Sequence, residues 1–317
     1  MDEVFVVGRE PEFGPMYAKA VGDIIHKHDV DLLLPVNSRE IRNLLSQKHL
    51  LRDALWYTGD YSLFRILDDK KQFGELLREL GLPHPRVCNS LNFRGRAVVK
   101  PTRDSSAKGV AYVEVTGERF DPRLDAALHE GDYLLQEFVE GEGVGYSGYF
   151  QDGRVAVGYA HRRVSEYPTS GGSSVVRERY PYADKHKLDE LVSSVLKVVP
   201  WTGFAMFEFK RTPQGELVFI ECNPRIWGSM HQGLADGINY FEPLLGPSLY
   251  SVSPAKRGVR TELFPLSLIA LAAYLLRGRL KEVLGMRKVG VPHLFDVSPF
   301  KDPRGFLALC LRITKKR

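Results

Sequence analysis

The stretch FEFKRTPQGELVFIECNPR, residues 207 to 225, carries Glu208, Glu221 and Asn223 in an alternating pattern that reads as a β-hairpin about the turn TPQGE. Residues two apart in a strand face the same way, so Glu221 and Asn223 share a side. The turn returns Glu208 roughly opposite Glu221. Two opposed carboxylates repel unless a cation lies between them, and hard oxygens with an amide suit Mg²⁺ bridging phosphates. Two solvent-facing glutamates on an edge hairpin would show the same spacing. Arg225 follows beside Pro224, where its guanidinium could pair bidentately with a phosphate or carboxylate, or stand as an ordinary surface arginine.

Other charges stand where they need partners. Lys100 ends the apolar run AVVKP, so its ammonium must find an anion or snorkel to water. The following loop, TRDSSAKGV at 102 to 110, offers Ser105, Ser106, Gly109 and Val110: small residues, hydroxyls and backbone N–H groups that could cover a phosphate chain. A flexible hairpin tip reads the same way, and the pattern is not a P-loop. HRRVSEYPTSGGSSVVRERY, from His161, joins Arg162, Arg163 and Arg177 through a Gly-Gly-Ser-Ser loop. It is either an anion funnel or a solvated basic face. The histidines show no ligand spacing and no Ser/His/Asp arrangement is evident. Cys88, Cys222 and Cys310 form no CxxC pair, which argues against both a disulfide framework and a zinc site.

The elements that must position these groups change character along the chain. VFVVG at 4 to 8, the helical PMYAKAVGDIIHKH and VDLLLPV at 30 to 36 alternate as parallel α/β structure does. An amphipathic helix in LDDKKQFGELLRELGLPHPR stops at Gly81 and Pro83. From there RAVVKPTRDSSAKGVAYVEV and DYLLQEFVEGEGVGYSGYFQDGRVAVGYAHRRV read as antiparallel strands, with QDGR a hairpin turn. A helix is expected from about Ala183 to Val199 and a mostly helical tail from about Phe241. This divides the chain into a short α/β part (1–82), a small antiparallel subdomain (83–140), a second antiparallel subdomain with the carboxylate cluster (141–245) and a helical extension (246–317).

Composition bounds the rest. At 317 residues the chain can enclose a site between subdomains. The balance of 44 Lys+Arg against 39 Asp+Glu is only mildly basic, as fits an anionic small molecule. The basic residues are not interleaved with aromatics in a recognisable module, so no nucleic-acid partner is expected. The acidic start MDEVFVVGRE is unlike a signal peptide, and a cytoplasmic protein is expected. LFPLSLIALAAYLL, from Leu263, is too short to span a bilayer and reads as a buried helix. The basic RGRLK after it and LRITKKR at the end also admit a peripheral membrane contact.

Taken in order, DDK, VVKP with its Ser/Gly loop, LLQEFVEGEG, GGSSVVRE and FEFK…ECNPR resemble the ATP-grasp superfamily, in particular its carboxylate–amine ligases and carboligases, over about residues 30 to 245. The Glu-x-Asn-Pro-Arg element with its upstream glutamate is the most specific part. The resemblance implies an ATP-grasp α/β fold: a short N-terminal α/β subdomain, two antiparallel-sheet subdomains sandwiching ATP, and a helical tail. It implies that Lys70 and Lys100 contact ATP, and that the 102–110 loop closes over the phosphates. Gln136, Glu137, Phe138 and Val139 become the hinge that reads adenine. Glu208, Glu221 and Asn223 hold Mg²⁺, with Mn²⁺ an admissible substitute. Arg225 holds the γ-phosphate or the reacting carboxylate, and Arg163 and Arg177 attend the same anions.

The implied reaction is ADP-forming: a small-molecule carboxylate becomes an acylphosphate and is captured by an amine or other nucleophile. A kinase-like phosphotransferase and a non-catalytic nucleotide-binding protein are the alternatives, and a homodimer fits any of them. Two departures stand out. Gly143 occupies the place where many relatives have a ribose-binding glutamate, for which Glu142 is the expected substitute. The α/β part before DDK is also short, so either the domain is reduced or another chain completes it.

Overall fold

A computed structural model of the chain describes residues 14–51, 55–56, 59–103, 109–169, 171–246, 258–287 and 290–314. The expected strand at 4 to 8 lies outside them. Helix α1 (Pro15–Lys27) opens with proline in its first turn, where a missing N–H costs nothing. Strands β1 (Leu32–Leu33) and β2 (Leu55–Trp56) pair in parallel around α2 (Ser38–Ser46). Side-chain caps start the next helices: Asn37 accepts from Arg39 N at α2, and Asp60 accepts from Ser62 N at α3 (Tyr61–Asp68). Asp69 accepts from Lys71 N and Gln72 N at α4 (Lys70–Glu79).

A three-stranded antiparallel sheet follows, ordered β4 (Ala111–Val115), β3 (Gly95–Pro101), β5 (Tyr133–Glu137). Helix α5 (Pro122–Glu130) packs against β5 and stops at Gly131, whose φ of +83° suits glycine. The larger sheet contains β6 (Glu142–Gln151), β7 (Arg154–Tyr167), β8 (Ser173–Arg179), β9 (Gly203–Arg211) and β10 (Leu217–Asn223), with α6 (Lys185–Leu196) between β8 and β9. Helices α7 (Met230–Ala235) and α8 (Glu242–Leu245) come next. The tail adds β11 (Arg260–Glu262), α9 (Leu266–Leu276), α10 (Leu280–Met286), β12 (His293–Phe295) and α11 (Pro303–Thr314).

The large sheet runs β10-β9-β6-β7-β8-β11-β12, and only β11 and β12 pair in parallel. The tail carries α9, α10 and α11, and its two three-residue strands extend the sheet beyond β8. Alternation along β9 sorts its faces. Ala205, Phe207 and Phe209 join the core with Phe73, Phe219 and the α3 and α6 side chains, where Phe73 meets Phe219 edge-on. Phe204 and Met206 face the other way, toward Trp227 and Tyr240, and Glu208 and Lys210 continue that face.

The apolar helix expected to be buried is so on one side only. Ser267, Ala270 and Tyr274 pack on β7 and β8, while Leu268, Leu275 and Leu276 are exposed. No helix of the described residues is long and apolar enough to cross a membrane.

Candidate functional site

Between the two sheets lies a cleft of about 360 Å³, a size typical of small-ligand sites. The β9–β10 register sets Glu208 directly opposite Glu221, with a bulge at Ile220 between the Phe219 and Glu221 pairs. The bulge re-aims the end of β10 and leaves the Ile220 carbonyl to accept from Lys100 Nζ at 3.3 Å. Asn223 Nδ2 donates to Glu208 (3.3 Å) and Glu221 (3.2 Å), and Asn223 Oδ1 accepts from Arg225 Nη2 (2.7 Å). Arg225 is further tied to Ile226 O and to Ser38 Oγ, where α2 begins. Lys70 begins α4, its N–H bonded to Thr102 O beside the small sheet, and Lys70 Nζ stands 3.6 Å from Glu221.

Burial and charge set the protonation of this cluster. Burial raises the pKa of Glu208 despite the opposing pull of Arg163, which forms an ion pair with it. Glu221 is lowered: burial raises it, but Lys70 and Lys100 together outweigh that. Lys100, 6% exposed, falls to about 8, because burial and then Lys70 oppose its charge more than Glu221 and Glu208 support it. Arg163 also reaches Glu166 at 3.4 Å and stays charged, its carboxylate neighbours overcoming burial. Lys70, Lys100, Arg163 and Arg225 thus crowd two carboxylates, leaving a cationic cleft suited to a polyphosphate.

Among the described residues no group of three or more His, Cys, Asp or Glu is placed to hold a metal. The donor set at β9 and β10 is instead two carboxylates and an amide, hard oxygens that fit Mg²⁺ shared with phosphates. Asn223 turns its N–H₂ toward the carboxylates here, so a cation between them requires the amide to present Oδ1 instead.

The other expected residues divide. Val110, Gln136, Glu137, Phe138 and Val139 line the cleft with Lys100 and Arg177. Within the hinge, Glu137 N and Phe138 N donate to Arg86 O and Arg96 O, and the Glu137 carboxylate binds Arg86. Gly109 stands at the loop's end with φ +72°, packed near Pro101 and Tyr133, while Ser105 and Ser106 lie outside the described residues.

Two expectations are corrected by strand alternation. Glu142 is exposed, and its neighbour Gly143 is the residue that lines the cleft, so Glu142 is on the wrong face to replace a ribose ligand. A Cβ on Gly143 would sit 2.7 Å from Arg163 Cδ and 2.9 Å from Glu166 Oε1, so glycine is what lets that pair approach. Arg162 likewise faces away from Arg163, held by Glu178 together with Arg260. It does not join the cleft.

Arg177 does line the cleft but is not a free cation. Its side chain is 2% exposed, pairs with Asp296 and donates to Gly228 O, and His231 Nδ1 lies 3.4 Å from the same Asp296 carboxylate. Asp296 follows β12, so the tail reaches into the site. Sequence reasoning passed over Asp296, Ser38, Glu166, Trp227 and His161, whose positions carry no local motif. His161 is fully enclosed beneath Gly145, with its pKa lowered to about 3 by burial and by Arg163 and Arg177. Along the cleft wall, Arg163 Nε, Ser174 Oγ, Arg177 Nε and Trp227 Nε1 have no hydrogen-bond partner among the described residues.

No protein-family model matches the chain. It is similar to the D-aspartate ligase of Enterococcus faecium, 26% identical over 211 residues, covering 57% of this chain and 49% of that one. It is also similar to the D-alanine–D-alanine ligase of Aquifex aeolicus, 26% identical over 187 residues, covering 53% and 62%. The chain thus spans about half of one curated relative and 62% of the other.

Among solved structures, it superimposes on the biotin carboxylase domain of Hydrogenobacter thermophilus 2-oxoglutarate carboxylase, in complex with MgADP and bicarbonate. The TM-score is 0.58 at 15% identity, covering 75% of this chain and 58% of that one. The L-amino acid ligase of Bacillus licheniformis gives 0.55 at 16%, covering 75% and 61%.

Proposed function

From the ATP-grasp fold of this chain, we propose that it is an ATP- and Mg²⁺-dependent, ADP-forming ligase that activates a small-molecule carboxylate as an acylphosphate and joins it to an amine. The observation that carries this is the convergence of Lys70, Lys100, Arg163 and Arg225 on Glu208, Glu221 and Asn223 in one cleft between two antiparallel sheets. The likeness to two ligases that join amino acids supports the same class.

Gln136 to Val139 form the wall against which the base packs, and Lys70 and Lys100 hold the phosphates. Glu208, Glu221 and Asn223 would hold Mg²⁺, which would supply Lewis-acid charge neutralisation at the phosphates. Arg225, fixed by Ser38 and Asn223, and Arg163 neutralise the same group as it passes to the carboxylate. Arg177, its Nη groups held by Asp296 and Gly228 O, offers only its Nε–H to the substrate carboxylate. The unpartnered donors Arg163 Nε, Ser174 Oγ, Arg177 Nε and Trp227 Nε1 suit a ligand rich in acceptors.

Thermal shift with ATP and ADP, with and without Mg²⁺, tests the site. At ligand near 100 times Kd the wild type gains about 2.7 kcal/mol, and Glu221→Ala loses the metal-dependent part. ADP release with paired acids and amines then tests the reaction. An amide product distinguishes ligation from simple phosphotransfer. Absence of nucleotide stabilisation in the wild type refutes the proposal.

A further inference from the structure

Helices α9 and α10 form an elbow packed on β7 and β8, interior strands of the large sheet. Helix α9 turns Ser267, Ala270 and Tyr274 onto the sheet. The end of α9 and one face of α10 do the reverse, while Met286 and Val283 of α10 pack inward: Leu276 is 89% exposed, Leu280 61% and Leu284 74%. Leu280 and Leu284 stand one turn apart on α10, and Leu276 precedes them across the tight connection. Arg277 and Lys281 are exposed around these leucines, as is Arg287, which also reaches the buried Glu262 at 3.6 Å. The acid on α10, Glu282, is half-buried and bound to Arg279. Single exposed leucines are ordinary on a protein surface; a cluster rimmed by cations marks a contact.

We propose that this elbow docks on the surface of an anionic lipid bilayer. Leu276, Leu280 and Leu284 enter the boundary between headgroups and acyl chains, and Arg277, Lys281 and Arg287 lie against anionic headgroups. Charge selects this occupant. A second copy packed across a two-fold axis would set the same cations against one another, and a neutral apolar partner would leave them unmatched.

The elbow is also tied to the cleft. Arg279 stacks over the Tyr274 ring with its guanidinium carbon 4.9 Å from the centroid, and its Nη1 donates to Thr169 O at 3.2 Å. Tyr274 Oη accepts from Glu166 N. The segment after Thr169 continues to Gly171 and Gly172, which line the cleft. Docking therefore sets the β7–β8 side of the cleft beside the bilayer, independently of the reaction performed there.

Co-sedimentation of the full chain, without nucleotide, with vesicles of phosphatidylcholine alone or mixed with phosphatidylglycerol tests this. Binding is expected to the mixed vesicles and to fall as salt rises from about 0.1 M to about 1 M. Leu280→Ser with Leu284→Ser, and separately Arg277→Glu with Lys281→Glu, each lower partitioning by at least about tenfold with unchanged Tm. Failure of the wild type to bind the phosphatidylglycerol vesicles overturns the proposal. So does binding that neither double variant weakens, or a solution dimer that the leucine variant dissociates.

Discussion

Replacing Arg163 with Met removes the guanidinium that holds Glu208 and Glu166 while keeping a side chain of similar reach. The Arg163 and Glu208 side chains are each 16% exposed, so the pair is mostly but not wholly withdrawn from water. Breaking a fully buried pair costs about 3–5 kcal/mol, largely from the charge left behind. Residual solvent contact, and protonation of Glu208, reduce this to roughly 2–3 kcal/mol near neutral pH. At about 2–4 °C per kcal/mol in a chain of this size class, Tm falls by roughly 4–12 °C.

The pH dependence has a definite sign. Burial already raises Glu208, and losing Arg163 raises it further. A carboxyl whose folded pKa lies above its unfolded value favours the fold below the unfolded pKa, and that contribution is lost as pH rises through the folded pKa. The variant's deficit relative to wild type therefore shrinks on acidification from about pH 7.5 to about pH 5. Adding Glu208→Gln removes the stranded charge, so the double variant is less destabilised than the two single losses summed. Urea melts of the four proteins at both pH values measure these quantities. Equal deficits at both pH values, together with additive singles, would refute the pairing argument.

Three further predictions concern single positions. Phosphate favours the charged form of Lys100, so MgATP affinity should hold below pH 8 and weaken above it as the ammonium with pKa about 8 deprotonates; a flat profile to pH about 9.5, or one that Lys100→Met leaves unchanged, excludes that contact. Gly145→Ala puts a Cβ 2.3 Å from His161 Cε1 and should cost roughly 1–3 kcal/mol in a denaturant melt, yet be nearly neutral in a His161→Ala background. Asp296→Ala strands Arg177, whose side chain is 2% exposed, and should cost about 3–5 kcal/mol; a loss not relieved by adding Arg177→Met would mean that Asp296 acts through another contact.

The carboxylate hairpin was legible because it is local. A period of two sets Glu221 beside Asn223 and the short turn folds Glu208 back toward them, although an unbroken register from the Phe219–Phe209 pair would put Ile220, not Glu221, opposite Glu208. The bulge at Ile220 was not, since nothing in LVFIECN distinguishes a regular strand from one bent to meet Lys100. Glu142 shows the same limit: chain order made it the substitute for Gly143, and one step of alternation put it on the wrong face. The short strands RTE and HLF carry too little pattern to be read as strands, and only the pairing of RTE with β8 and of HLF with RTE makes them part of the sheet.

The sequence by itself determined the change from α/β to antiparallel strands, the helix that stops at Gly81, and which residues carry the oxygen and nitrogen needed for phosphate and metal. These follow from alternation, capping and turn chemistry, which act over a few residues. Only the tertiary structure decided which charges face one another. Arg163 meets Glu208 across 45 positions and Arg177 meets Asp296 across 119. Such pairs arise because the sheet brings distant strands to adjacent spacing, and burial then determines which cations are neutralised and which remain for a ligand.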